Sequence, residues 1–139
     1  MREVVITGIG LVSPIGLEKQ EFFSALCEGR SGVGVVEELA GTSLASRIGA
    51  RVGDFDPKAF VKPRKNIKVM SRDIQMGFVA ADKAWTDSGI ADGRVDPDRF
   101  GVIFGADLIA VDLAEMEPAY RACMAMERFE YPRWGSQIT

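Results

Sequence analysis

Histidine is absent from this 139-residue chain, and cysteine occurs only twice, at Cys27 and Cys123. Without histidine, these residues cannot supply the usual general base of a nucleophilic triad. The two cysteines are far apart and match no metal-ligand spacing, which argues against a zinc site. We therefore expect neither a metal centre nor a histidine-dependent active site within these residues.

Three other features are missing as well. No apolar run approaches the roughly 18 residues that span a bilayer, and the first residues lack the basic-then-apolar pattern of a signal peptide. The net charge of -3 gives no basic excess for general nucleic-acid binding. With 47% hydrophobic and 27% charged residues, the composition is that of one ordinary globular domain. We expect a soluble, cytoplasmic protein.

The first half of the chain alternates strand and helix patterns. Consecutive β-branched residues predict a buried strand over Glu3–Val12. Apolar residues four apart predict a helix over Leu17–Glu28, with Gly29 in the left-handed conformation after its end. A glycine-rich loop through Ser31–Gly34 is expected next. Period-2 alternation then predicts a strand with one wet face over Ser46–Gly53.

The second half contains the strongest helical pattern. It predicts a helix over Ser71–Ser88, with Ser71 as N-cap, and a second buried strand follows over Phe100–Ala106. Pro118 suits the first turn of a helix running to about Arg128, and the tail has no clear pattern. This order of elements favours a layered α/β unit. The predicted apolar stripe of the long helix comprises Met70, Ile74, Phe78, Ala81 and Trp85.

The opening run Val4–Gly16 (VVITGIGLVSPIG) contains a Gly-x-Gly turn after the first predicted strand. Such a turn raises the possibility of dinucleotide binding. The third glycine of that fingerprint is replaced by Ser13, Pro14 follows, and the helix begins too late to cradle a phosphate. The alternative is a tight turn that needs small residues where two backbones approach.

The opening run resembles the N-terminal signature of β-ketoacyl-acyl carrier protein synthases of the KAS II type. Further blocks resemble that family in the same order, over Val4 to about Leu108. Each block is weak alone, but together they are specific. The blocks are CEGRSG at Cys27–Gly32, GDFDP at Gly53–Pro57, MSR at Met70–Arg72 followed by Gln75, AADKAWTDSGI at Ala80–Ile90, and RFGVIFG at Arg99–Gly105.

The resemblance implies an α/β protein, the N-terminal part of a thiolase-like layered α/β/α fold, with a dimer across the sheet. In the family, the nucleophilic cysteine and two histidines come later than position 139 of this chain. Residues 1–139 are therefore expected to be an incomplete synthase domain, inactive alone. No metal or nucleotide cofactor is expected.

Neither cysteine of this chain is expected to act as the nucleophile. Cys27 falls in the last turn of a predicted helix, where the dipole disfavours a thiolate. Cys123 falls mid-helix and lacks the small-residue surroundings of the family's nucleophile. Buried, structural cysteine is the usual alternative.

A basic segment, Lys58–Arg72, carries six positive residues and no acidic one. In the family, the matching stretch helps to dock the acidic acyl carrier protein, and charge complementarity would speed encounter. An ordinary solvated face is the open alternative. The candidate carrier-docking residues are Lys62, Arg64, Lys65 and Lys68.

Leu108 and Ile109 follow the second predicted strand, where the family has a short turn beside the acyl pocket. They are the candidate substrate-binding residues. The chain departs from the family at Asp107 and Ile109-Ala110, which replace small residues.

Together these observations predict part of an acyltransferase that condenses an acyl thioester with malonyl-acyl carrier protein in fatty-acid or polyketide synthesis. A homodimer is expected, with neither nucleic-acid binding nor membrane insertion. Two alternatives stay open: a non-catalytic partner subunit of the same fold, such as a chain-length factor, and a nucleotide-binding domain. The residue at the family's cysteine position would separate synthase from partner subunit.

Overall fold

The computed structural model shows a mixed helix-and-strand chain with two compact units, Met1–Phe104 and Gly105–Thr139. Each unit has its own local packing. The residues that the structure describes are 3–53, 55–90, 94–106, 113–125 and 128–137.

Two α-helices organise the first unit, and both were predicted. Helix α1 spans Lys19–Cys27, and Gly29 after it has a φ of 66°. Helix α2 spans Arg72–Asp87, and the Ser71 hydroxyl accepts a hydrogen bond from the Ile74 N–H at 3.4 Å. These serine and glycine signals set the ends because they satisfy backbone groups that a helix leaves unpaired.

The strands of the first unit differ from the prediction. Strand β1, Val33–Val35, pairs antiparallel with β2, Ile48–Ala50. The first of these occupies the region expected to be a glycine-rich loop, and the second is shorter than the predicted Ser46–Gly53. The predicted alternation is present in β2, but its larger side chains, Ile48 and Ala50, lie on the exposed face and Gly49 is half-buried near Val36.

The predictions of buried strands over Glu3–Val12 and Phe100–Ala106 are wrong for the described residues. Neither segment is paired in a sheet there, and Ile6 and Ile103 are 84% and 98% exposed. A β-branched run favours extended backbone, but a strand is buried only when neighbouring strands and a covering layer are present. The layered arrangement of a full sheet thus stays a prediction.

The apolar stripe predicted for α2 is also corrected. Val79 is the buried residue of this helix, whereas Ile74 and Phe78 are exposed and Trp85 is half-buried. Trp85 meets the ring of Phe100 edge to face, with ring centroids 5.4 Å apart. The 3.6-residue period located the helix correctly, but it could not show which side faces the other described elements.

The second unit holds helix α3 (Leu113–Cys123), the paired short strands β3 (Met124–Ala125) and β4 (Arg128–Phe129), and helix α4 (Tyr131–Gln137). The prediction that Pro118 begins a helix is wrong: α3 begins at Leu113 and continues through the proline. Helix α4 forms in the tail, where the sequence has no clear pattern. Tyr120, Phe129 and Trp134 form an aromatic cluster with centroids 4.7 to 5.9 Å apart.

Over the described ranges, no helix is both long and apolar enough to span a lipid bilayer.

Candidate functional site

The opening glycine turn lies directly on the backbone of α2. A Cβ atom added to Gly8 would overlap the Ala84 carbonyl, and one added to Gly10 would overlap the Ala80 carbonyl and the Ala84 nitrogen. Only glycine allows backbones to approach this closely. The turn therefore has the steric role given above as the alternative to dinucleotide binding.

Asp87, near the end of α2, holds this turn in place. Its carboxylate accepts a hydrogen bond from the Ile9 backbone N–H at 3.0 Å and forms an ion pair with Lys19 of α1. The Lys19 ammonium, followed by the Ile9 N–H, lowers the pKa of the Asp87 carboxyl below its usual value. The backbone donor that a phosphate would need in a nucleotide site is thus engaged by a carboxylate.

The hydrogen bond and ion pair of Asp87, which we call the Asp87 clamp, predict that replacing Asp87 changes the free energy of unfolding by an amount that depends on pH. Because the pKa of Asp87 is depressed in the folded state, its contribution is present above the unfolded pKa of about 3.9 and is lost as pH falls through the folded value. Asp87→Asn should therefore lower the denaturation midpoint at neutral pH, and the difference from wild type should narrow below about pH 4.

Asp82→Asn is the matched control for this measurement. Asp82 lies on the same helix, and within the described residues it has no hydrogen bond or ion pair through its side chain. Urea denaturation followed between pH 3 and pH 7 compares the variants. A pH-independent loss in Asp87→Asn would contradict the electrostatic role of the clamp.

Lys83 connects α2 to the two residues just before α1. Its ammonium donates to the Leu17 carbonyl and, at 2.6 Å, to the Glu18 carboxylate. The ring of Phe60 lies 5.5 Å from the same ammonium, within cation–π distance. The side chain is 14% exposed, so this lysine belongs to the scaffold beneath the basic segment and not to its surface.

The sequence blocks that resemble the condensing-enzyme family contact one another. Arg72 of the MSR block donates to the Val52 carbonyl at 3.0 Å and stacks over Phe55 of the GDFDP block at 5.1 Å. Asp56 of that block accepts from the Lys58 N–H at 3.0 Å and caps a short 3₁₀ helix. Several quoted motif residues therefore have structural roles that explain why they occur together.

The basic segment is anchored by a buried residue, and its charged side chains are exposed. Val61, within this segment, is 1% exposed, which anchors the chain just before the candidate docking residues. A 3₁₀ helix then spans Arg64–Val69, a length of about 12 Å at 2.0 Å per residue. The four side chains that we call the docking surface are all exposed: Lys62, Arg64, Lys65 and Lys68.

The docking surface is not neutralised by its described surroundings. Among the described residues, none of its four side chains forms an ion pair. Arg72, although part of the basic segment, is engaged with Val52 and Phe55. Arg64, Lys65 and Lys68 lie on one 3₁₀ helix about 12 Å long, a length of one to two Debye lengths. They can therefore act on an acidic partner as one positive patch.

The remaining predicted site residues fall elsewhere. Leu108 and Ile109 lie outside the described residues, so the structure does not test the acyl-pocket prediction. Cys123 is buried, as expected of a structural cysteine, whereas Cys27 is exposed at the end of α1. Over the part of the chain that the structure describes, no three acidic or thiol side chains are grouped to hold a metal ion.

Comparison with known proteins decides the family. The family described as "Beta-ketoacyl synthase, N-terminal domain" matches residues 1–134 of this chain. This chain belongs to the beta-ketoacyl synthase family. Family membership implies the thiolase-like fold that the sequence blocks predicted, and the mixture of helices and strands is compatible with it.

Individual beta-ketoacyl synthases show the same similarity. The 3-oxoacyl-[acyl-carrier-protein] synthase 2 of Coxiella burnetii is 37% identical over 107 residues, which cover 77% of this chain and 26% of that protein. The oxytetracycline polyketide putative beta-ketoacyl synthase 1 of Streptomyces rimosus is 36% identical over 104 residues, 75% of this chain and 24% of that protein. The chain thus spans about a quarter of the length of these curated relatives.

The sequence interpretation missed Asp87 and Lys83, the two residues that tie α2 to the opening turn and to α1. Their spacing of four residues places them on one face of α2, which is a detectable signal. Their partners, however, are backbone groups and side chains more than sixty positions earlier. A single sequence does not reveal which distant backbone groups need a partner.

Proposed function

We propose that this chain provides the N-terminal part of a 3-oxoacyl-[acyl-carrier-protein] synthase. The observation that carries the proposal is the family match over residues 1–134, and the similarity to fatty-acid and polyketide synthases supports it. The layered α/β/α arrangement of the complete domain is part of the same proposal.

The proposed reaction is a decarboxylative Claisen condensation. An acyl group is carried as a thioester on a cysteine, and malonyl-acyl carrier protein loses carbon dioxide to give a carbanion. The carbanion attacks the acyl carbonyl, a carbon–carbon bond forms, and the cysteine leaves as a thiolate. By resemblance, the cysteine and histidines that perform these steps lie outside the present residues.

The chain's own contribution, in this proposal, is scaffold, pocket wall and carrier docking. The docking surface supplies unpaired positive charge to an acidic carrier protein. Exposed apolar side chains, among them Val4, Ile6 and Ile103, support association with another polypeptide surface, because such patches mark interaction sites. The homodimer and the pocket role of Leu108 and Ile109 belong to this proposal.

The proposal predicts that the 139-residue chain binds carrier protein without being acylated. Cys27 lies at a helix C-terminus and Cys123 is buried, and neither location activates a thiolate. Incubation with acyl-acyl carrier protein should therefore leave the intact mass of the chain unchanged. A stoichiometric acyl adduct on either cysteine would contradict the assignment of catalysis to residues outside this chain.

Binding to the carrier is the companion test. Purified holo-acyl carrier protein should bind the chain, whereas an unrelated acidic protein of equal size and net charge should bind more weakly. Equal affinity for both proteins would indicate that the docking surface is merely a charged, solvated face. That result would remove support for the carrier as a partner.

A further inference from the structure

The 3₁₀ helix Arg64–Val69 presents two different exposed rows. In a 3₁₀ helix, side chains three residues apart are aligned because there are three residues per turn. Lys65 and Lys68 therefore form one row, and both are exposed. Asn66 and Val69 form the next row, which is also exposed but carries no charge. The third row holds Arg64, which is exposed, and Ile67, which is half-buried.

Val69 is the apolar residue of the uncharged row. It is 85% exposed, although its neighbours Ile67 and Met70 are half-buried and Lys68 is charged. A single exposed valine needs no explanation by itself. Here it lies beside a patch of unpaired cations, on a helix that begins three residues after the buried Val61. An apolar centre bordered by polar and charged residues is the usual make-up of a protein interface.

We propose that Val69 is the apolar contact by which this surface retains an acidic carrier protein after the lysine row has attracted it. The inference rests on the proposed function, which supplies the carrier as partner. Charge complementarity commits the surface to an acidic protein, and the adjacent uncharged row would meet an apolar patch on it. The lysines act on association, because screened charges act at a distance. Val69 acts on dissociation, because apolar contact is short-ranged.

The test compares Val69→Thr with Val35→Thr, using holo-acyl carrier protein as the probe and surface plasmon resonance for both rate constants. Threonine keeps the β-branched shape and replaces one methyl group with a hydroxyl. Val35 is a matched control because it is 70% exposed and lies on β1. Val69→Ala is a second variant, and circular dichroism checks that each variant is folded.

Val69→Thr should raise the dissociation rate constant by roughly three- to tenfold and leave the association rate constant unchanged. The ratio to wild type should be the same between about 0.05 and 0.3 M salt, since no charge is altered. Val69→Ala should act in the same direction, and Val35→Thr should match wild type.

Three results would overturn the inference. The first is that Val69→Thr and Val69→Ala leave the dissociation rate constant unchanged while a lysine variant lowers the association rate constant. Val69 would then not belong to the interface, and the proposed function would still hold. An equal effect of Val35→Thr and Val69→Thr would show a general response to threonine. If the wild-type chain does not bind the carrier at all, the proposed carrier function itself fails, and the inference fails with it.

Discussion

Gly10→Ala is expected to lower the free energy of unfolding by roughly 3 kcal/mol or more, at the upper end of overpacking effects. The added methyl group would overlap the Ala80 carbonyl and the Ala84 nitrogen, both in the backbone of α2. Backbone atoms in a hydrogen-bonded helix cannot turn away as a flexible side chain can. The opening turn would have to lift from the helix, and the hydrogen bond from Ile9 to Asp87 would lengthen or break.

Gly34→Ala is the matched control for this substitution. Gly34 lies in β1, and no atom lies within 4 Å of the Cβ position that alanine would add. Its effect should stay within about 0.5 kcal/mol. Urea denaturation of both variants gives the comparison. If Gly10→Ala were as stable as Gly34→Ala, the close approach of the opening turn to α2 would be wrong.

The double charge reversal Lys65→Glu with Lys68→Glu is expected to slow association with holo-acyl carrier protein by roughly tenfold or more at low salt. Both lysines are exposed, lie in one row of the 3₁₀ helix, and have no ion pair among the described residues. Reversal turns a patch that attracts an acidic partner into one that repels it. The difference from wild type should shrink as salt rises and the Debye length falls below about 8–10 Å.

The control is Arg47→Glu with Arg94→Glu, which changes the net charge of the chain by the same amount. Both arginines are exposed and lie outside the basic segment. The association rate constant should then fall by no more than about twofold, because only the general attraction is altered. Stopped-flow or surface plasmon resonance at several salt concentrations measures both variants. If both double variants slowed association equally, the four docking residues would act only through the net charge of the chain.

The local signals in the sequence predicted the helices of the first unit well. Ser71 before α2 and Gly29 after α1 act where the pattern placed them, and Gly89 after α2 has a φ of 65°. These signals act on backbone groups within a few residues, so the helix ends can be predicted from the local sequence alone. The glycines at positions 8 and 10 were likewise identified as residues where backbones approach.

Burial could not be predicted in the same way. Val4, Ile6 and Ile103 have the β-branched character of core strands, yet they are exposed in the described structure. Burial depends on which other strands and helices lie alongside, and local pattern does not contain that information. The short pairing of β1 with β2 was missed for a related reason, since Gly34 and Gly49 face each other in a segment whose glycines suggested a loop.

The sequence likewise predicted the local features of the candidate site, but not those that depend on distant contacts. The charge of the basic segment can be counted in the sequence, and its four candidate docking residues are exposed as a docking surface requires. The contacts of Arg72 with Val52 and Phe55 could not be predicted from the sequence, because these residues lie up to twenty positions away. The row that contains Val69 appears only when the 3₁₀ geometry is known.

Hydrogen–deuterium exchange of the chain with and without holo-acyl carrier protein tests whether the basic segment binds the carrier. We expect the carrier to slow amide exchange over Arg64–Val69 and to leave exchange over β1 and β2 unchanged. Binding with protection outside the basic segment, and none over Arg64–Val69, would contradict the assignment of carrier docking to this segment.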